Sequence, residues 1–266
     1  MTLIVGIKCE DGVVVAADGA ATLGSMGHQT ARQPVRKLEI VAGASAIFAL
    51  SGPVGLMQRL QAIVESSIHG KLRGKKCSQI MTELRQDFWQ VVSYEMNVAK
   101  VARDLIGNVA LTDVISSCVL AMPVEDAPCL FQFDQQCAPE QATANVPFVA
   151  IGSGQQTADP FLAFIRRTFW SDRLPNLAEG TFAAYWTVRH AIETMPGGVA
   201  DPIQIAVLRQ VDSKWRAVEL RSEELQEHKE FLGAIEDHLR SFKREVQPEA
   251  AEPDPGSEIP EPPKAS

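Results

Sequence analysis

Over the first fifty residues the apolar positions come in short, β-branched runs. Ile4 to Lys8 and Val13 to Ala17 are two of them, separated by Glu10-Asp11-Gly12. Asp-Gly between two such runs is the strongest short-range hairpin signal in a sequence, because these residues accept the positive φ of a tight turn. A Gly/Ser/Gln-rich stretch follows and reads as a loop through Pro34. A second pair of runs, Lys37 to Val41 and Ala46 to Leu50, turns at Gly43. Ser51-Gly52-Pro53 then breaks the sheet and the period changes. Leu56, Leu60, Ile63, Val64 and Ile68 recur at helical spacing, ending at the basic loop Lys71 to Lys76. Ile80, Leu84, Phe88, Val91 and Val92 mark one face of a second helix from Ser78 to about Asp104. The stripe is that of a packed core face rather than of a cofactor site.

Strand character returns from Asp113 to Leu120, Pro128 to Phe133 and Val146 to Ile151, where Gly152-Ser153-Gly154 closes the run. Two more helices are expected near Ala158–Phe169 and Ala178–Thr194, the second stopped by Pro196-Gly197-Gly198. Ile203 to Arg209 and Trp215 to Leu220 read as closing strands. Two strand-rich blocks, each followed by a helix pair, predict an α+β fold of stacked antiparallel sheets with helices on the outer faces. The order does not fit a βαβ crossover, and no internal repeat is present. Beyond position 220, Ser222-Glu223-Glu224 is an N-cap with acidic residues in the first turn. Leu225, Phe231, Leu232, Ile235, Leu239 and Phe242 then form an amphipathic stripe. That helix either folds back on its own domain or serves as a subunit contact or lid. From Gln247 onward Pro, Glu, Ala and Asp dominate, and that tail is expected to be disordered. The organisation expected is a domain over 2–220, an amphipathic helix over 221–246 and an acidic tail over 247–266.

Charge alters this picture in one respect. Of the net −8, the stretch from Glu245 to Ser266 carries −5, with six acidic residues and one Lys, so the body holds only −3. A body so near neutrality offers no basic stripe for nucleic acid. No window is long and apolar enough to span a bilayer, and no basic start precedes an apolar run, so the expected location is the cytoplasm. The five cysteines (Cys9, Cys77, Cys118, Cys129, Cys137) are irregularly spaced and suggest neither a disulfide framework nor a metal knuckle. The five histidines form no paired-ligand pattern. No metal or cofactor is expected.

Candidate chemistry sits at the front of the chain. Thr2 is small enough at its position for Met1 to be trimmed, which places a hydroxyl and an α-amine on one residue. A free α-amine titrates near ~7.7–8.0 and is available as a base at neutral pH. Alone, Thr2 is simply the residue after the start codon. Ala17-Asp18-Gly19-Ala20-Ala21-Thr22, Lys37-Leu38, Ser51-Gly52 and Gly152-Ser153-Gly154 change that reading.

In order and approximate spacing these motifs resemble the catalytic β-type proteasome subunits and, through Asp18 to Gly24, the bacterial peptidase HslV. Within that family of N-terminal-nucleophile threonine peptidases, the extension and the departures look most like the beta-proteobacterial proteasome homologue group. The resemblance runs from about Thr2 to Leu220. It implies an αββα sandwich, the N-terminal-nucleophile hydrolase fold. It also implies Thr2 as nucleophile, Lys37 as the buried cation beside it, Asp18 as the carboxylate that compensates Lys37, and Gly52 as the oxyanion donor. Ser153 matches the supporting serine. Ala21 and Thr22 match residues that pair with an extended substrate, and Ala21, Val35, Leu50 and Val54 would line an apolar first specificity pocket. Two departures stand out: Glu193 replaces the family's Asp, and Pro196 stands where a supporting serine is expected. Pro196 has neither a hydroxyl nor an N–H to offer.

The resemblance further implies hydrolysis of unfolded polypeptides inside a double ring of about six or seven subunits per ring, without a cofactor and with an ATP-dependent unfoldase as a possible partner. Two other readings stay open. One is a non-catalytic or weakly active ring subunit; the chain's Thr, Asp and Lys set counts against it. The other is an amidohydrolase for small molecules using the same threonine chemistry.

Overall fold

The computed structural model describes residues 2–25, 28–41, 43–107, 114–171, 173–195 and 198–246. Met1, Pro196, Gly197 and the acidic tail from 247 lie outside that set, and so does the expectation that the tail is disordered. The chain divides after Ser222 into two units.

The first unit contains all the described strands. One five-stranded sheet is built from β1 (Ile4–Lys8), β2 (Gly12–Asp18), β10 (Phe148–Ile151), β11 (Ile203–Val211) and β12 (Lys214–Glu219), in the order β10-β1-β2-β11-β12. The second holds β5 (Leu38–Ile40), β6 (Ile47–Ser51), β7 (Ser117–Val124), β8 (Ala127–Phe133) and β9 (Pro139–Gln141), in sequence order. Every pairing is antiparallel. The first hairpin forms between the two expected runs, with Ile4 opposite Ala17 and Lys8 opposite Val13. Its turn residues, however, are Glu10 and Asp11: Cys9 N–H donates to Gly12 O at 2.9 Å, Gly12 is already the first residue of β2, and neither Asp11 nor Gly12 takes a positive φ.

Alternation sorts each strand's side chains between two cores. Ile4, Val13, Val15 and Ala17 of the first sheet meet Ile47, Ala49, Val119, Ala121 and Leu130 of the second in the layer between the sheets. The neighbouring residues Phe48, Leu50, Leu120, Phe131 and Phe133 turn the other way. They pack beneath α1 (Val54–His69) and α2 (Cys77–Ile106), against Leu56, Leu60, Val64, Ile80, Leu84, Phe88 and Val92. Phe88 meets Phe133 edge to face at 5.0 Å. On the far side, α3 (Gln155–Ile165) and α4 (Leu177–Thr194) cover the first sheet, with α4 lying on β1 and β2. All seven residues of β2 are therefore buried, because helix covers one face and sheet the other. This is the αββα arrangement.

The stretch after Asp18 differs from its expected form. It is a hairpin rather than a loop: β3 (Ala20–Ser25) pairs with β4 (His28–Pro34) as a separate two-stranded sheet, with a register shift at Leu23/Gly24. Its residues are mostly polar or small, so period two is absent from the sequence even though the ladder forms. The expected helix to Phe169 is α3 followed by a π-helical turn over Arg166–Trp170. The short edge strand β9 has only three residues and no pattern of its own.

The second unit is described through α5 (Ser222–Val246), with Glu223 and Glu224 in its first turn. Its Phe231, Leu239 and Phe242 are exposed. Among the described residues no helix is long and apolar enough to cross a membrane.

Candidate active site

The end of β2, the residue before β5 and the turn after β10 meet near the start of β1. Asp18 is the last residue of β2, and the β1–β2 register sets it opposite Leu3, one residue before Ile4. The pair is doubly tied: Asp18 N–H donates to Leu3 O at 3.1 Å, and Leu3 N–H donates to Asp18 Oδ1 at 2.8 Å. Asp18 is 0% exposed. Lys37, which precedes β5, is 4% exposed and donates from Nζ to Asp18 Oδ1 at 2.7 Å. The Ala20 and Ala200 N–H groups each donate to Asp18 Oδ2 at 3.3 Å. Both carboxylate oxygens are thus saturated by donors, and among the described residues no buried side-chain polar atom lacks a partner. Burial pulls Lys37 below the ordinary lysine pKa; the neighbouring Asp18 charge and its hydrogen bond pull the other way and lose.

The segment carrying Lys37 is held by a residue that the sequence alone does not single out. Gln204 of β11 accepts from Lys37 N–H at 2.9 Å and donates to Val35 O at 2.5 Å, so one amide clamps both sides of Arg36. Its only sequence signal is a polar position between Ile203 and Ile205, which alternation assigns to a solvent face. Val35 N–H in turn donates to Gly19 O at 2.8 Å.

Ser153, after β10, reaches the first residue of the described chain. Thr2 N–H donates to Ser153 Oγ at 3.2 Å, Ser153 Oγ donates to Thr2 O at 3.4 Å, and Gly154 N–H donates to Thr2 O at 3.1 Å. The Thr2 nitrogen is a peptide nitrogen joined to Met1 here; it marks the place of the α-amine that removal of Met1 creates. Gly152 must be glycine: its φ is +91°, and a Cβ would stand 2.2 Å from Thr2 O. Gly52 follows β6 with φ +154°, and a Cβ there would lie 2.8 Å from Ser116 Cβ.

The structure thus brings Thr2, Asp18, Lys37 and Ser153 into one bonded chain through Leu3. It does not bring in Glu193. That residue is exposed in the last turn of α4, and its carboxylate has no hydrogen-bond or ion-pair partner among the described residues. Of the pocket candidates, Ala21 and Val35 are half-buried, Val54 is 56% exposed at the start of α1, and Thr22 lies on β3. Leu50 is 2% exposed and belongs to the core beneath the helices, so it backs such a pocket rather than lining an open one. The reason is alternation: Ala49 and Ser51 take the opposite face of β6. No group of three or more His, Cys, Asp or Glu side chains is placed to hold a metal among the described residues.

The family profile described as proteasome subunit matches residues 2–164. That span contains Thr2, Asp18, Lys37, Gly52 and Ser153 and stops before Glu193. Similar solved structures include Anbu, described as an ancestral beta-subunit, from Yersinia bercovieri. It is 14% identical with a TM-score of 0.66, over 94% of this chain and 100% of that one. Anbu from Hyphomicrobium sp. strain MC1 is 16% identical with a TM-score of 0.63, over 92% and 98% of the two chains. The Anbu complex of Pseudomonas aeruginosa, described as a helical assembly, is 17% identical with a TM-score of 0.65, over 98% of each chain. At these identities the likeness is one of fold. No curated protein sequence matches the chain. With the profile matched over more than half its length, the chain belongs to the proteasome subunit family.

Proposed function

We propose that the chain is a threonine-type endopeptidase that works from Thr2 once Met1 has been removed. A single observation carries the reading: Lys37 Nζ, buried, lies 2.7 Å from a fully buried Asp18 carboxylate that also holds the amide of Leu3, the residue next to Thr2. A surface pair of this type would contribute little. A desolvated lysine fixed beside the first residues disfavours protonation of a nearby amine and favours an alkoxide forming on Thr2 Oγ.

In the proposed reaction the Thr2 amine takes the hydroxyl proton, directly or through a water, as Oγ attacks the substrate carbonyl carbon. The Gly52 N–H stabilises the oxyanion. The amine then returns the proton to the departing peptide amine, leaving an ester on Thr2. Water, deprotonated by the same amine, attacks that ester and frees the acid product together with Thr2 Oγ. Ser153 positions the amine. Glu193 is proposed to act through its negative charge near the end of α4, not through a direct bond. Substrate binds extended, as a strand added to Ala21 and Thr22; among the described strands β3 pairs only with β4, which supports an available edge. Apolar Ala21, Val35 and Val54, backed by Leu50, favour cleavage after hydrophobic residues.

Copies of the chain are proposed to self-associate so that the sites face an enclosed space, which admits unfolded chains and excludes folded ones. Stacked closed rings are the arrangement proposed. The helical assembly of the Pseudomonas aeruginosa Anbu complex favours an open screw as the second arrangement, and negative-stain microscopy of the purified chain separates the two.

Intact mass after incubation with a peptide boronate or aldehyde tests the chemistry. Loss of Met1 and one adduct per chain on Thr2, absent from Thr2→Ala, is the expected result. A retained Met1, or an adduct that persists in Thr2→Ala, would falsify the assignment. Unlabelled wild type with Met1 removed would favour the non-catalytic subunit.

A further inference from the structure

The proposed chemistry uses none of the five cysteines, and two of them lie together. Cys77 is the first residue of α2 and Cys129 the third of β8, 52 positions apart in sequence, with their sulfurs 3.2 Å apart. Gln141 of β9 stands opposite Phe131, so its side chain leaves the sheet on the face shared by Phe131 and Cys129. Its Nε2 donates to Cys77 Sγ at 3.5 Å and to Cys129 Sγ at 3.7 Å. Cys9, Cys118 and Cys137 are buried, and among the described residues no other pair of cysteines hydrogen-bonds through sulfur.

We propose that Cys77 and Cys129 are a peroxide-oxidisable dithiol that closes reversibly into a disulfide, fastening the start of α2 to β8. The two sulfurs are unequal in the way that this reaction needs. Cys77 is half-buried and sits where the positive end of a long helix meets a negative charge developing on sulfur. Cys129 is 4% exposed, and burial pushes its thiol up to about 12, the Cys77 hydrogen bond and charge adding to the effect. Cys77 is therefore the sulfur that meets peroxide, and Cys129 the one that resolves the product.

Cys77 sulfur attacks one peroxide oxygen and breaks the O–O bond. This leaves a sulfenic acid on Cys77, and the other oxygen departs as water with the thiol proton. Cys129 then loses its proton and attacks the Cys77 sulfur, and the sulfenic oxygen leaves as a second water. Two thiols give up two electrons and two protons, and one peroxide takes them. The sulfurs, 3.2 Å apart, must close by roughly 1 Å to reach disulfide length. A thiol reductant reverses the step by exchange at the same bond.

The test uses the full-length chain under non-denaturing conditions. It is treated with hydrogen peroxide, alkylated with iodoacetamide and digested without reduction. The expected result is a single cross-linked peptide joining Cys77 to Cys129, a loss of about 2 Da per chain, and recovery of both thiols with dithiothreitol. In Cys129→Ser, Cys77 accumulates sulfenic and then sulfinic acid; in Cys77→Ser, Cys129 stays unmodified. Over-oxidised Cys77 without a cross-link in the wild type, a cross-link at any other pair, or oxidised Cys129 in Cys77→Ser would each overturn the proposal. The readout is covalent mass, so it is independent of whether Thr2 proves to be the nucleophile.

Discussion

Replacing Asp18 by Asn tests the centre of the site with almost no change of shape. The native carboxylate only accepts: Oδ1 from Lys37 Nζ and Leu3 N–H, Oδ2 from the Ala20 and Ala200 N–H groups. Asn has one acceptor oxygen and an NH2 that donates. Whichever way the amide turns, two donors face an NH2. The milder orientation keeps the oxygen on Lys37 and Leu3 and strands the two longer backbone bonds, each costing about 1–3 kcal/mol when left unmade in a buried place. The lysine also loses its counter-charge, and breaking one side of a buried pair costs about 3–5 kcal/mol. These losses overlap because they share one group, so Asp18→Asn should lower unfolding free energy by about 3–5 kcal/mol at pH 7. Guanidinium unfolding of both proteins measures it. The penalty should shrink at high pH, where a neutral Lys37 no longer needs the carboxylate, and Asp18→Asn/Lys37→Met should cost less than the two single changes added. A loss under about 1 kcal/mol at pH 7 would refute the view that the pair is buried and mutually dependent.

Lys37 carries a pH dependence of its own. Burial holds its folded pKa below the ordinary 10.5, so between the two values the unfolded chain binds the extra proton. The stability of wild type relative to Lys37→Met should therefore rise with pH through that window, with the full penalty below it; a falling difference would reverse the sign argued here. Gly52→Ala meets both a φ of +154° and a clash with Ser116. It should slow labelling by a peptide boronate by about 10²–10³, and unchanged labelling would remove Gly52 from the oxyanion role. Phe88→Ala deletes a ring that is 1% exposed and packed on Phe133. It should cost about 3–5 kcal/mol by thermal or denaturant unfolding, with no change in adduct formation on the folded fraction.

Where a local signal and a buried face coincide, the elements are readable from residues. The hairpin between the runs at Ile4 to Lys8 and Val13 to Ala17 and the Leu56-Leu60-Val64 stripe both form within a residue or two of their expected bounds, although the hairpin turns on Glu10-Asp11 and not on Asp11-Gly12. The β3–β4 hairpin is not readable, because a two-stranded ribbon made mostly of Ala, Thr, Gln and other small or polar residues carries no apolar period in its sequence. Leu50 is identified by its matching position, yet which face of β6 it takes depends on register across three strands. In the site, Asp18 and Lys37 become recognisable through the order of motifs, not through spacing, since their contact joins a strand end to a separate loop. Gln204 escapes notice for a related reason. A lone polar residue in an apolar strand looks like a surface position until the third partner, here the turn at Val35 to Lys37, is in place.

The double tie between Asp18 and Leu3 and the bond from Gly154 to the Thr2 carbonyl have one more consequence. Every described anchor on the front of the first strand except the Ser153 contact to the Thr2 nitrogen falls at or after that carbonyl. Cutting the bond before the threonine therefore releases none of the main moorings. A chain that began at Thr2 would thus be held from the Thr2 carbonyl onward by the same bonds that hold this one.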